Sequence, residues 1–166
     1  MTPTRPHVSS NIDTLSLRQA LGEFATGVTV ITSRAADGRP VGLTVNSFAS
    51  VSLAPPLILW SLGLGSPSLR VFQECTHFAV NVLAADQQEL SERFAQSLSD
   101  KFSGLDSRVG AGDTVLLPDC CAWFECKNEA QHSGGDHLIL VGRVLSFTRQ
   151  EKAPLIFHGG RYRKLK

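Results

Sequence analysis

The chain has 166 residues, enough for one domain with its own buried core. Charged residues make up 19% of it, below the usual share of about 25%, so we expect a partner subunit or a large ligand to cover part of the surface. The formal net charge is +1 and the one basic cluster is the C-terminal segment 161–166, which argues against a nucleic-acid-binding protein.

The N-terminal part is predicted to hold an arm, a helix and a first hairpin. Residues 1–12, rich in Pro, Ser and Thr, are predicted to form a flexible arm, and residues 13–166 the folded domain. Asp13–Phe24 has apolar residues at helical spacing and a capping residue at its start, which predicts a helix. Val28–Ser33 is rich in β-branched residues, which favours a strand, and Asp37-Gly38 indicates a hairpin turn after it.

From residue 41 onward the pattern predicts mainly strands. The predicted strands are 41–53, 57–62, 77–83, 122–131, 137–149 and a short pair around Gly159-Gly160, and the predicted helices are 68–74 and 86–96. Many strands joined by short turns favour an antiparallel barrel over a doubly wound sheet. The chain also lacks a Gly-x-Gly-x-x-Gly segment after a strand, which argues against a Rossmann-type nicotinamide site.

Residues 41–69 contain no Asp, Glu, Lys or Arg. Within the segment 41–53, apolar residues alternate with a row of mostly small neutral residues, namely Gly42, Thr44, Asn46, Phe48, Ser50 and Ser52. One interpretation is a half-buried strand with a solvent face, but such faces normally carry charges. The alternative is that the polar row binds a large planar ligand through hydrogen bonds to its edge, a demand that a flavin ring meets.

The segment Gly63–Ser68 then leads into a predicted helix. Ser66 or Ser68 can cap that helix, and the free N–H groups at its start can bind a phosphate. An ordinary capped turn explains the same residues equally well.

The remaining composition argues against several other classes of protein. The four cysteines, at positions 75, 120, 121 and 126, form no Cys-x-x-Cys pair, so we expect no metal site. The N-terminus lacks the apolar core of a signal peptide, and no apolar run is long enough to span a bilayer. We therefore expect a reduced, soluble, cytoplasmic protein without a membrane segment.

Several segments together resemble the flavin reductase-like family, the reductase components of two-component flavin-dependent monooxygenases. The resemblance covers residues 17–163, and the segments that carry it are 24–32, 42–57, 78–83, 100–102, 135–137 and 154–162. It implies a mostly β, antiparallel, Greek-key split β-barrel (the FMN-binding split barrel) with a few peripheral helices, which binds FMN or FAD as a homodimer with the flavin near the subunit interface. Residues 110–118 depart from the family pattern, in a loop that commonly borders the substrate side.

The resemblance also assigns the site residues. The predicted cofactor-binding residues are Thr44, Val45, Asn46, Ser47, Ser50, Val51, Ser52, Ser66, Ser68, Lys101, Phe102, His158 and Tyr162. Lys101 is expected to supply charge to the phosphate side. His137, with Asp136 setting its tautomer or charge, is expected beside the nicotinamide as the catalytic residue; without the resemblance, a strand histidine satisfied by Asp136 is the simpler interpretation.

The resemblance predicts an NAD(P)H-dependent flavin reductase that reduces FMN or FAD with NADH or NADPH and supplies the product to a separate oxygenase. Hydride transfer needs the nicotinamide and flavin stacked at about 3–3.5 Å, and the cofactors carry the chemistry. Two alternatives stay open: a non-enzymatic flavin carrier or sensor, and a self-contained flavin oxidoreductase acting on a small substrate.

Overall fold

The computed structural model describes residues 12–98 and 100–165. The predicted arm lies outside the described residues except for Ile12, which is exposed. The first helix, α1 (Thr14–Gly22), begins as predicted because the Asp13 carboxylate accepts hydrogen bonds from the Leu15 N–H at 3.2 Å and the Ser16 N–H at 3.1 Å. None of the residues of α1 is buried, so its apolar side chains are exposed on the single chain.

The rest of the chain is mainly β-structure, as predicted. The strands are β1 (Thr26–Gly27), β2 (Thr29–Arg34), β3 (Pro40–Val45), β4 (Ala49–Leu53), β5 (Pro56–Gly63), β6 (His77–Val82), β7 (Arg108–Val109), β8 (Val115–Leu116), β9 (Ala122–Gly134), β10 (His137–Arg149), β11 (Ile156–His158) and β12 (Arg161–Arg163). The further helices are α2 (Leu69–Glu74), α3 (Gln88–Ala95) and a short 3₁₀ turn, Ala111–Asp113. Within the described residues, no helix is long and apolar enough to cross a membrane.

Seven strands form one antiparallel sheet in the order β3-β2-β6-β9-β10-β5-β4. The strands β3 and β4 are consecutive in the chain yet lie at opposite edges of this sheet, so the sheet curls into a barrel that stays open between them. A second sheet, β1-β11-β12, holds the C-terminal hairpin. The predicted split barrel with peripheral helices is confirmed.

Two buried clusters lie on the two faces of the sheet. Neighbouring residues of β2 point to opposite faces. Val30 belongs to the cluster that contains Phe94 and Trp123. Ile31 belongs to the cluster that contains Trp60. The Trp60 cluster is the barrel interior, where the indole ring meets two phenylalanine rings edge-on. The Phe94 cluster lies on the outer face, which α3 and the C-terminal hairpin cover.

The predicted continuous strand over residues 41–53 is wrong at its centre. The structure ends β3 at Val45 and begins β4 at Ala49. The break changes which side chains are buried: Phe48, which the alternation assigned to the polar row, packs against the interior cluster and stacks on Phe124, while Leu53 is 93% exposed. The physical reason is that residues 46–48 connect two opposite edges of the sheet, which a straight strand cannot do.

Candidate functional site

An open groove of about 690 Å³ runs along the outer edge of β3. Its other walls are the start of α2 and the segment after α3. The lining residues are Arg39, Pro40, Val41, Gly42, Pro67, Ser68, Val71, Ser97, Leu98, Asp100, Lys101 and Phe102. Three of the predicted cofactor residues, Ser68, Lys101 and Phe102, therefore lie together in one groove.

Gly42 is the point at which β3, α3 and the following segment come closest. A Cβ atom at this position would lie 2.8 Å from the Phe94 ring and 3.1 Å from the Phe102 ring. Those two rings pack edge to face, with centroids 5.0 Å apart. Only glycine fits between them, so this part of β3 presents its backbone, without a side chain, to the aromatic pair.

Lys101 also links β3 to α3 at this point. Its Nζ donates hydrogen bonds to the backbone carbonyls of Gly42, at 3.2 Å, and Phe94, at 2.9 Å. Burial lowers the pKa of this ammonium group. Two of its three protons are thus used within the chain, and the third is available to a ligand in the groove.

Ser47 holds the break between β3 and β4 against β5. Its hydroxyl accepts from the Ser61 N–H at 2.9 Å and donates to the Ser61 carbonyl at 3.1 Å, so it continues the backbone ladder that β4 forms with β5. Asn46, next to it, is exposed, and its amide has no hydrogen-bond partner among the described residues. Val45 packs against the interior cluster, and its carbonyl accepts from Thr29 Oγ1.

The other predicted residues of this region lie on β4 and in the loop after β5. Ser50 and Val51 are exposed, while the Ser52 hydroxyl accepts from the Ala54 N–H at 3.2 Å. Ser66 Oγ accepts from the Ser68 N–H at 3.3 Å. Ser68 precedes α2 without a side-chain capping bond, so its hydroxyl remains available to a ligand.

His137 begins β10 and pairs with Gly63, the last residue of β5. A Cβ atom on Gly63 would lie 3.8 Å from His137 Nε2, so the imidazole lies over that glycine. The other ring nitrogen, Nδ1, is 2.7 Å from the Asp136 carboxylate, and this contact lowers the pKa of Asp136. The pair orients the ring and leaves Nε2 for a ligand.

Thr44 and Tyr162, on β3 and β12, are joined through α3. The Thr44 hydroxyl donates to the Ser91 carbonyl at 2.7 Å, and the Ser91 hydroxyl lies 2.9 Å from the Tyr162 hydroxyl. His158, on the partner strand of the same hairpin, has Nε2 3.5 Å from the Glu23 carboxylate.

The donor set fits a ligand that has a polar ring edge and an anionic tail. Asn46, Ser50 and Ser68 keep their side-chain donors free of other described residues, and Lys101, which lines the groove, supplies a positive charge. The groove volume lies within the range of about 300–1,000 Å³ typical of small-molecule sites. FMN and FAD both match this chemistry. The described residues hold no cluster of ligands for a metal ion.

The structure does not gather every predicted residue into the groove. Thr44 lies farther along β3, Asn46 and Ser47 follow that strand, and the β4 residues lie at the opposite edge of the sheet. His137 lies beside the end of β5. Ser91 is not among the site residues predicted from the sequence, although a serine on the buried face of an amphipathic helix is a signal that could have identified it. The unusual segment 110–118 does not line the groove; Gly112 instead lines a second groove, beside His77 and Arg34.

A sequence profile of the flavin reductase like domain matches residues 21–166. This chain belongs to the flavin reductase like family. The predicted family is thereby confirmed over most of the chain.

Individual relatives cover the same region. The FMN reductase (NADH) SmoA of Agrobacterium fabrum is 48% identical over 147 residues, which are 89% of this chain and 83% of that protein. The flavin-dependent monooxygenase reductase subunit HsaB of Rhodococcus jostii is 41% identical over 91% of this chain and 77% of its own length. This chain spans less than half of the length of two other curated relatives.

Among solved structures, the NADH:FAD oxidoreductase SgcE6 of Streptomyces globisporus, in complex with NAD and FAD fragments, superposes with a TM-score of 0.88. It is 36% identical, and the alignment covers 93% of each chain.

We expect the substitution His137→Ala to raise the KM for the reduced nicotinamide about tenfold and to change the Kd for flavin much less, because it removes one hydrogen-bonding group from the nicotinamide side. Steady-state kinetics with varied NADH and flavin fluorescence titration measure the two effects. His132→Ala is the matched control, since His132 is exposed on β9 near the same hairpin turn. Equal kinetics in the His137 variant and the parent would remove His137 from the site.

Proposed function

We propose that this chain reduces FMN or FAD with NADH or NADPH and releases the reduced flavin to a separate oxygenase component. Flavin reduction by a reduced nicotinamide is the activity of relatives that match nearly the whole chain, so the predicted activity and cofactors are confirmed. The supply of reduced flavin to an oxygenase is supported by relatives that are reductase components of monooxygenases. The particular monooxygenase named for each relative is the partner of that relative alone.

The observation that carries the proposal is the groove along the outer edge of β3, which is lined by the Lys101 ammonium group and by the Ser68 hydroxyl, a donor without another partner in the described chain. A bound flavin accepts a hydride from the reduced nicotinamide. Asn46 and Ser50 would bond the polar edge of the ring, and Ser68 and Lys101 its phosphate. His137 would bind the nicotinamide through Nε2, with Asp136 holding the ring in place.

A steady-state assay of the purified protein with both flavins and both nicotinamides tests the activity. We expect oxidation of NADH or NADPH that depends on added flavin, with turnover continuing as flavin is exchanged. A carrier or sensor would bind flavin without oxidising the nicotinamide. A self-contained oxidoreductase would retain its flavin through gel filtration and convert a small substrate without a partner protein.

The role of Lys101 is tested by comparing FMN with riboflavin, which lacks the phosphate. We expect Lys101→Met to raise the Kd for FMN about tenfold or more and to leave the Kd for riboflavin nearly unchanged, because a charge-assisted bond to phosphate is lost. Lys152→Met is the control, since Lys152 Nζ is also paired, with the Asp119 carbonyl and carboxylate, away from the groove. An equal loss of affinity for both flavins would mean that Lys101 serves only to hold β3 against α3.

The homodimer is the further part of the proposal. Phe48, Phe124 and Phe147 form a stacked row with centroid separations of 5.7 and 6.4 Å, and Phe147 is 70% exposed at its end. The adjacent edge strand β4 is also exposed, with Leu53 almost fully accessible. A second copy of this chain would cover this apolar edge and account for the low charge content.

Sedimentation velocity checks the dimer. We expect the parent to sediment as a dimer and Phe147→Glu as a monomer, because the substitution places a charge in the apolar contact. The control Val109→Glu changes a residue of similar exposure on β7 and should remain dimeric. A monomeric parent contradicts the dimer, and a dimeric Phe147→Glu variant would show that the interface lies on another surface.

The four free cysteines suit a reducing compartment, and we propose the cytoplasm.

A further inference from the structure

Ser91 is a fully buried polar residue on α3 that makes contact with two other elements. Its backbone carbonyl accepts the hydroxyl proton of Thr44 on β3, at 2.7 Å, and its own hydroxyl is 2.9 Å from the hydroxyl of Tyr162 on β12. A helical serine commonly returns its hydroxyl to the carbonyl four residues earlier. In this helix it instead bonds a side chain 71 positions away in the chain.

The Tyr162 contact fixes a strand with few other attachments. Among the strands of the described residues, β12 pairs only with β11, whereas β11 also pairs with β1 and is followed by the Gly159 N–H bond to the Gly22 carbonyl. Within residues 12–98 and 100–165, the Ser91–Tyr162 bond is the one side-chain hydrogen bond from β12 to another element. The Tyr162 ring also packs on Phe157 and on the outer cluster, so the hydroxyl bond sets the position of a ring that is already half-buried.

Thr44 and Tyr162 lie far apart in the sequence, and both are predicted cofactor contacts. Their relative position depends on α3, because no strand pairing joins β3 to β12. A buried hydroxyl that loses its partner costs the free energy of an unsatisfied polar group, so the connection favours one arrangement of the two strands.

We propose that Ser91 is a positioning residue for flavin reduction, which holds Tyr162 through its hydroxyl and Thr44 through its carbonyl so that both keep one geometry at the flavin. This inference rests on the proposed function. Ser91 itself is buried behind the two residues, so it acts through them and touches neither flavin nor nicotinamide.

The contact itself can be observed without any cofactor. Tyr162 is the one tyrosine of the chain, so a protein labelled with 3-fluorotyrosine gives a single ¹⁹F resonance for this residue. We expect Ser91→Ala to shift and broaden this resonance, because the hydroxyl loses its fixed partner. Ser33→Ala should leave it unchanged. That control removes another buried serine hydroxyl, which donates to the His77 carbonyl at 2.8 Å on a different part of the sheet.

The effect on the flavin is measured by fluorescence titration and by steady-state kinetics. We expect Ser91→Ala to raise both the Kd and the KM for FMN or FAD about fivefold, the value that corresponds to one hydrogen bond. The Ser33→Ala variant should retain parental affinity even if it melts at a lower temperature. Tyr162→Phe removes the same hydrogen bond by changing the half-buried partner, and we expect the same increase in the Kd and KM for flavin.

The double variant decides whether Ser91 acts through Tyr162. We expect Ser91→Ala combined with Tyr162→Phe to bind flavin no more weakly than either single variant, since both remove one interaction. If Ser91→Ala does not fold, the Tyr162→Phe variant still tests the inference. Parental affinity for flavin in that variant overturns it. Multiplicative losses in the double variant, or unchanged flavin affinity in a folded Ser91→Ala protein, also overturn it. In each case an active parent leaves the proposed function standing, whereas a parent that neither binds flavin nor oxidises NADH or NADPH removes both.

Discussion

The candidate site depends on the two hydrogen bonds between the Ser47 hydroxyl and the backbone of Ser61. They hold the turn between β3 and β4 against β5, at the edge of the sheet opposite β3. Because the barrel stays open at this point, the outer edge of β3 is not covered by another strand. Side chains along that edge can therefore meet a ligand, while the barrel interior is packed with apolar residues around Trp60.

Around this opening, the elements that surround the site are held together by hydrogen bonds to backbone carbonyls more than by ion pairs. Lys101 donates to two carbonyls, Ser91 accepts from Thr44, and Gly42 admits two aromatic rings. The shorter of the two carboxylate–histidine contacts among the predicted site residues joins neighbours in sequence, Asp136 and His137, at 2.7 Å. This arrangement suits a reaction in which the cofactors carry the chemistry and the protein supplies orientation, since hydride transfer requires no general acid or base.

An exposed aromatic side chain is continuous with the interior cluster. The interior cluster continues through Phe48 and Phe124 to the exposed ring of Phe147, so one aromatic row leads from the core to the surface beside β4. A monomer leaves the Phe147 ring at the end of this row largely in water, which is unfavourable for an aromatic side chain. The proposed homodimer would remove that cost and would bring the edge strand β4 of each copy under cover.

The sequence by itself determined the family, the mostly β fold and the position of the three α-helices and most of the longer strands of the described residues, because alternation, β-branched runs and turn residues are local signals. It also identified the uncharged segment 41–69 as unusual. Only the tertiary structure decided that residues 46–48 break the strand, because the break results from joining opposite edges of a curled sheet. The same holds for Ser91, Gly42 and the two carbonyl partners of Lys101. Their roles come from contacts between elements far apart in the chain, which no local pattern records.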